Sequence, residues 1–378
     1  STILSISLGE KRKQYAEKVL GNSLVLLLVI ALLLTAAGFL LMEPLLRLTG
    51  ASATIMPFAK AYMRVILLGT VFNALGFGMT HFIRAEGNPK MAMFTMLIGA
   101  VLNLVLDPVL IFVFDLGIAG AAWATVISQA VCAVWVMSYY FGKKSLCRIR
   151  AENLRLNPGI VRRIAVIGSA PFAMQFVSSI YNSLLNNQLQ RYGGDLAVSA
   201  MGVIFGVAML MLMPIFGLNQ GMQPIIGYNF GAGQYQRVAH ATRITILFAS
   251  ILASAGWLVT RFAPVLIIGM FSHDNAEFSL LTEKALRIFF LMFPLVGFQI
   301  IAGGYFQAVG KPKQATLLSL SRQLLFLVPL MYILPLRFGL EGVLSAAPTS
   351  DFLSSMLTAV FYFLELKRLR LHPAAVRP

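Results

Sequence analysis

The chain repeats itself at a spacing of about 222 residues. Gly87-Asn88-Pro89-Lys90 returns as Gly310-Lys311-Pro312-Lys313, each glycine preceded two residues earlier by an alanine, Ala85 and Ala308. Gly117-Ile118-Ala119-Gly120 returns as Gly339-Leu340-Glu341-Gly342, Gly9 as Gly231, and Tyr62-Met63-Arg64 is answered by Leu286-Arg287. The runs between these landmarks are apolar and long. Ten stretches, about 24–46, 55–83, 91–114, 118–141, 164–189, 197–226, 244–271, 285–306, 315–337 and 340–365, meet the requirement of roughly 20 apolar residues for a spanning helix. A duplicated bundle of membrane helices is the architecture of secondary transporters.

Composition narrows the alternatives. Hydrophobic residues make up 58% of the chain and charged residues only 12%, about half the share of a soluble domain. Pro108, Pro171, Pro214, Pro264, Pro294 and Pro329 fall inside the stretches, where neighbouring helices and waters satisfy the backbone groups a proline frees. An outer-membrane barrel would need alternating segments of about ten residues, and the sequence has none.

A formal charge of +16 suggests nucleic acid until the charges are placed. With the stretches above, 21 of the 30 basic residues fall on one side: Lys11, Arg12, Lys13, Lys18, Arg84, Lys90, Lys143, Lys144, Arg148, Arg150, Arg155, Arg162, Arg163, Arg237, Arg243, Lys311, Lys313, Lys367, Arg368, Arg370 and Arg377. The opposite loops hold Arg47, Arg191, Lys284 and Arg337. This asymmetry is the positive-inside pattern, which expects both termini of the chain in the cytoplasm and the charge on lipid headgroups rather than nucleic acid. Cys132 and Cys147 offer no metal-ligand spacing, and His81, His240, His273 and His372 form no metal motif. The sequence shows no phosphate-binding Gly-x-x-x-x-Gly-Lys-Ser/Thr loop, and its first apolar run follows a basic, helical-looking segment rather than the short n-region expected of a signal peptide.

Between the two copies lie a basic linker and two further stretches, 164–189 and 197–226, which precede the second copy. The repeat therefore expects a parent of two six-helix halves with two helices upstream of Ser1, and domains at 1–145 (four helices) and 146–378 (six helices).

Several motifs in register carry a family resemblance. Arg84-Ala85-Glu86-Gly87-Asn88-Pro89-Lys90, Asn103-Leu104-Val105-Leu106-Asp107-Pro108, Gly117-Ile118-Ala119-Gly120-Ala121-Ala122-Trp123-Ala124-Thr125, Gly227-Tyr228-Asn229-Phe230-Gly231-Ala232 and Ser321-Arg322-Gln323 together resemble the multidrug and toxic compound extrusion (MATE) family, in its bacterial DinF-like and MepA-like branch. The resemblance covers essentially the whole chain, as that family's helices three to twelve. It implies an all-α polytopic membrane protein whose ten helices form part of a two-lobe, six-plus-six bundle. It further implies a monomeric antiporter of the bacterial inner membrane, not an enzyme, exporting small organic cations and drugs. The family needs no cofactor beyond Na⁺ or H⁺ as coupling ion, and its lobes rock around a central cavity.

Asn103 and Asp107 are four residues apart and share a helix face. A carboxylate inside a span is costly unless paired, protonated or ion-bound, so Asp107 is a candidate functional residue. The resemblance carries Asn103, Asp107 and Thr125 onto the family's cation site, where Asp107 would hold Na⁺ or a proton together with an aspartate of the family's first helix. A purely structural role, tying neighbouring helices, remains the alternative. Where other members place acidic residues, this chain reads Ser178-Ser179-Ile180-Tyr181-Asn182 and Leu295-Val296-Gly297-Phe298-Gln299, which argues against a second-lobe Na⁺ site of that kind. Arg322 and Asp351 lie at similar depth in consecutive stretches, where pairing would remove two costly charges as structural glue. Gln175, Ser179, Asn182 and Asn186 form a 4, 3, 4 stripe, expected to line a substrate cavity or to join helices. The 18 methionines, among them Met209, Met211, Met213 and Met222, are adaptable apolar surface or ordinary packing. Other readings are a lipid-linked oligosaccharide flippase, an intramembrane enzyme or a transport-inactive fragment. A flippase would want more basic residues within its spans, and an enzyme a nucleophile–base pair or metal cluster that the spans do not offer.

Overall fold

A computed structural model describes residues 1–48, 52, 54–142, 145–270 and 276–371, and among these the chain forms helices and no strand. Lys143, Lys144, Arg377, His273, His372 and the last residue of the 244–271 stretch lie outside the described residues. Contacts divide the chain into two units, Ile3–Ile164 and Ala165–Pro378.

The first unit holds α1 (Thr2–Gly9), α2 (Lys13–Leu40), α3 (Met42–Leu48), α4 (Met56–Ala85), α5 (Pro89–Pro108) and α6 (Gly117–Phe141). The turn from α4 to α5 follows from its residues. Gly87 takes φ +89°, Asn88 caps α5 by accepting the Met91 N–H at 3.2 Å, and Pro89 fills the first position, where a missing N–H costs nothing. At Pro108 the helix widens into a π turn, Val109–Val113. The core packs Leu20, Met79, Ile83 and Tyr139 among buried neighbours, while Leu32, Leu33, Leu34, Leu104, Phe112 and Val134 stay exposed. Exposed apolar surface on this scale fits a hydrocarbon solvent.

The basic linker after α6 belongs to the first unit by its contacts. Glu86, buried beside α5, accepts from Ser145 Oγ at 2.9 Å, the Leu146 N–H at 3.1 Å and Tyr139 OH at 3.2 Å. Glu17 accepts from the Arg148 N–H at 3.2 Å, and the Asn22 amide donates to the carbonyls of Asn153 and Arg155 while accepting from the Asn157 N–H at 2.7 Å. The structural division thus falls at 164/165 rather than 145/146, because α2 and the α4–α5 turn satisfy the linker's backbone.

The second unit begins in α7 (Pro158–Gly231), whose 74 residues would reach about 110 Å, several times a membrane's hydrocarbon thickness. A non-helical Gly194 at φ +62° breaks it, in the gap that separates the stretches 164–189 and 197–226. There follow α8 (Tyr235–Phe262), α9 (Pro264–Gly269), α10 (Ala276–Phe289), α11 (Phe293–Ala308), α12 (Pro312–Leu320), a π turn at Ser321–Leu327, α13 (Val328–Ile333) and α14 (Pro335–Leu371). Its core gathers Phe290, Phe293, Tyr305, Phe306, Ile204 and Ile215. Seven helices among the described residues are long and apolar enough to cross a membrane, or eight counting the pair α10–α11 as one span bent by 49° just before Pro294. The 340–365 stretch is helical within α14 but is not among them, because one of its faces carries Ser350, Asp351, Ser354, Ser355 and Thr358.

Candidate functional site

The first unit contains a cavity of about 330 Å³ walled by α4, α5 and α6. Each helix contributes the same pattern of four positions, i, i+3, i+4 and i+7, which is one face over two turns. From α4 come Asn73, Gly76, Phe77 and Thr80; from α5 Met96, Gly99, Ala100 and Asn103; from α6 Thr125, Ser128, Gln129 and Cys132. Room for it comes from small residues: a Cβ on Gly99 would lie 2.8 Å from Cys132 Sγ. Its volume falls within the range of small-molecule pockets, and Phe72, Phe77 and Met96 give it apolar walls.

Hydrogen bonding fixes its polarity. The hydroxyl protons are spent on each helix's own carbonyls: Thr80 donates to Gly76 O at 2.6 Å, Thr95 to Met91 O at 3.0 Å, Thr125 to Ala121 O at 3.0 Å and Ser128 to Ala124 O at 2.8 Å. A hydroxyl so engaged still offers oxygen lone pairs. Asn103 likewise points its amide N–H at Asp107 Oδ1, 3.4 Å away. The hydroxyls leave over acceptor oxygen, which suits a cation, while the Asn73, Asn103 and Gln129 amides add both oxygen acceptors and N–H donors.

The candidate residues from the sequence are distributed as follows. Asn103 and Thr125 line this cavity. Asp107, one turn beyond Asn103 and half-buried, is not part of its lining but is joined to it through that amide. Asn73 and Gln129 line it as well and went unremarked in the sequence, because their faces belong to one cavity only once the three helices are packed together. Gln175, Ser179, Asn182 and Asn186 form one exposed stripe on the first part of α7, with Ser179 donating only to its own helix at Gln175 O. In the second unit Arg322 Nε donates to Asp351 Oδ1 at 2.5 Å, and Ser350 Oγ donates to the Arg322 carbonyl at 2.6 Å. Nearby, Gln323 donates to Ser178 Oγ and Gln299 to Ser354 Oγ, both at 2.8 Å.

Known proteins resemble this chain along most of its length. The MatE family model matches residues 1–109 and 171–333. The multidrug export protein MepA of Staphylococcus saprophyticus is 26% identical over 99% of this chain and 82% of its own length. MepA of Staphylococcus aureus (strain bovine RF122 / ET3-1) is 26% identical over 97% and 81%. Among solved structures, the MATE multidrug transporter DinF-BH is 37% identical over 96% of this chain and 81% of its own, with a TM-score of 0.89. A MATE transporter of the MOP superfamily in an outward-facing conformation shares the fold at 24% identity and a TM-score of 0.92, over 97% of this chain and 82% of its own. With most of its length matched by the family model and its helices superposing on solved members, the chain belongs to the MatE family of multidrug efflux membrane transporters.

Proposed function

We propose that the protein is a secondary antiporter of the bacterial inner membrane that exports organic cations in exchange for Na⁺ or H⁺, with Asp107, Asn103 and Thr125 as its coupling site. The observation that carries this reading is the cavity of α4, α5 and α6. Its hydroxyls present oxygen acceptors alongside the amides of Asn73, Asn103 and Gln129, its walls are aromatic and apolar, and the Asp107 carboxylate is tied to its rim through Asn103. Amphipathic cations need both an apolar wall and a negative field. Among the described residues no Lys or Arg lines the cavity, which weighs against a pyrophosphate-carrying substrate. Coupling requires that the ion favour one conformation over the other, and a membrane-embedded carboxylate supplies that difference by being either charged and ion-bound or neutral. The exposed stripe Gln175, Ser179, Asn182 and Asn186 is proposed to contact the substrate, and the basic loops to face the cytoplasm.

Ethidium uptake into inverted vesicles tests the reading. A Na⁺ gradient or an H⁺ gradient, imposed separately, should drive accumulation in at least one case. Uptake driven by neither would refute antiport.

A further inference from the structure

Helix α14 is built inside out. It turns Phe352, Met356, Val360, Phe363 and Leu364 outward, all exposed, and buries Asp351, Ser354, Ser355, Thr358, Tyr362 and Glu365. Positions 351, 355, 358, 362 and 365 are spaced 4, 3, 4, 3 and lie on one face. A helix that hides its polar face obliges the interior to satisfy it.

Protein groups do so only in part. Asp351 has Arg322, and Ser354 accepts from Gln299. The oxygens Gln299 Oε1, Ser355 Oγ, Thr358 Oγ1 and Tyr362 OH are buried with no hydrogen-bond partner among the described residues. They lie in a row. At one end stands the Arg322–Asp351 pair, and at the other the pair Lys311–Glu365, next to exposed Lys367 and Arg368. Fourteen residues of helix separate the carboxylates, about 21 Å. Neighbouring side chains on the face are about 5–6 Å apart, the gap that a single water bridges between two hydroxyls. Buried polar groups without protein partners are where internal water is held. Pairing explains why Arg322 and Asp351 can be buried, but not why a line of hydroxyls leads away from them.

We propose that this seam along α14 holds a chain of ordered water and conducts protons between the Glu365 end and Asp351, making Asp351 a second titrating site of the transporter. At each step an oxygen of water or hydroxyl accepts one proton and releases another to the next, so no bond between heavier atoms changes. The last proton forms an O–H bond on Asp351, which becomes neutral, while Arg322 keeps its charge and loses its counter-ion. Arg322 sits in the π turn Ser321–Leu327, a geometry that recurs at functional positions, so the pair joins α14 to a segment already wound differently from its neighbours. Facing Asp351 are Arg322 from that turn and Tyr181 from α7. From α11 comes Gln299, near the seam's far end Tyr305 of α11 and Arg243 of α8 approach Glu365 and Tyr362, and α13 carries only the exposed Tyr332. On α10, Arg287 pairs with Glu283, Lys284 pairs with Glu341 near the start of α14, and Glu277 is exposed. The inference is independent of the Asp107 reading, since all its groups lie in the second unit.

Infrared pH titration of the reconstituted protein reads carboxyl protonation directly. The proposal expects a protonated-carboxyl band that is absent in Asp351→Asn and in R322Q/D351N, the double variant leaving no unpaired buried cation should the single one fail to fold. The band should persist in Asp107→Asn, so the two sites can fail separately. After a pH jump it should grow about tenfold more slowly in Thr358→Val and in Tyr362→Phe. A spectrum unchanged in R322Q/D351N, or unchanged jump rates in both hydroxyl variants, overturns the proposal.

Discussion

Gly120 and Gly342 stand at equivalent places in the two copies, and both lie against the backbone of the segment just before them. A Cβ on Gly120 would sit 2.6 Å from Leu110 O, and one on Gly342 2.5 Å from Leu334 O. Each follows a glycine held at positive φ, Gly117 at +52° and Gly339 at +54°, so the pair forms one turn: the first glycine reverses the chain and the second lets it pack against what it has just left. Backbone cannot yield as a flexible side chain can, so Gly120→Ala and Gly342→Ala should each cost about 1–3 kcal/mol. Thermal unfolding in detergent should show both variants melting lower, while Gly217→Ala, with nothing within 4 Å of its Cβ, should melt unchanged or slightly higher. The motif was visible in the sequence as a repeat. Its reason was not, because the close approach spans a turn whose geometry no spacing rule supplies.

At the scale of elements, the linker that docks on the first unit makes a pH-dependent contact. Burial raises the Glu86 carboxyl above its ordinary value of 4.5, while hydrogen bonds from Ser145, Leu146 and Tyr139 pull it the other way. With its folded pKa raised, the folded chain holds this proton at a pH where the unfolded chain has released it. Its contribution is therefore complete below about pH 4.5 and is lost as pH rises through the folded value. Glu86→Gln should flatten this slope, as read from unfolding temperatures across that range. A variant with the wild-type slope would assign the pH dependence to another group. This docking was not legible beforehand, since Glu17 and Asn22 in the first half of α2 and Glu86 at the end of α4 are ordinary polar helix residues until the linker folds back over more than 50 positions of chain. Apolar periodicity, by contrast, marked the helices themselves. It misplaced their ends where special geometry intervened: α2 begins at Lys13, ahead of its apolar run, and the 285–306 stretch is broken ahead of Pro294.

For the whole molecule, hydropathy and repeated motifs already pointed to a membrane transporter, since burial in lipid needs only length and apolarity. The cavity was half legible: Asn103 and Thr125 stood out by resemblance, whereas Asn73 and Gln129 join them only when three helix faces are brought together. The orientation proposed from the charge pattern can be checked. In intact cells a membrane-impermeant maleimide should label Asp195→Cys at the α7 break and not Gln234→Cys in the basic-side loop, over the background of Cys132 and Cys147. The reverse pattern would invert the topology. The central claim, that an ion acting at Asp107 drives export, is tested most directly by ethidium uptake into inverted vesicles carrying Asp107→Asn. The account predicts that gradient-driven uptake is abolished while the protein remains folded and inserted, and that Thr125→Ala loses part of it. Normal uptake by Asp107→Asn, with unchanged dependence on the ion gradient, would contradict it.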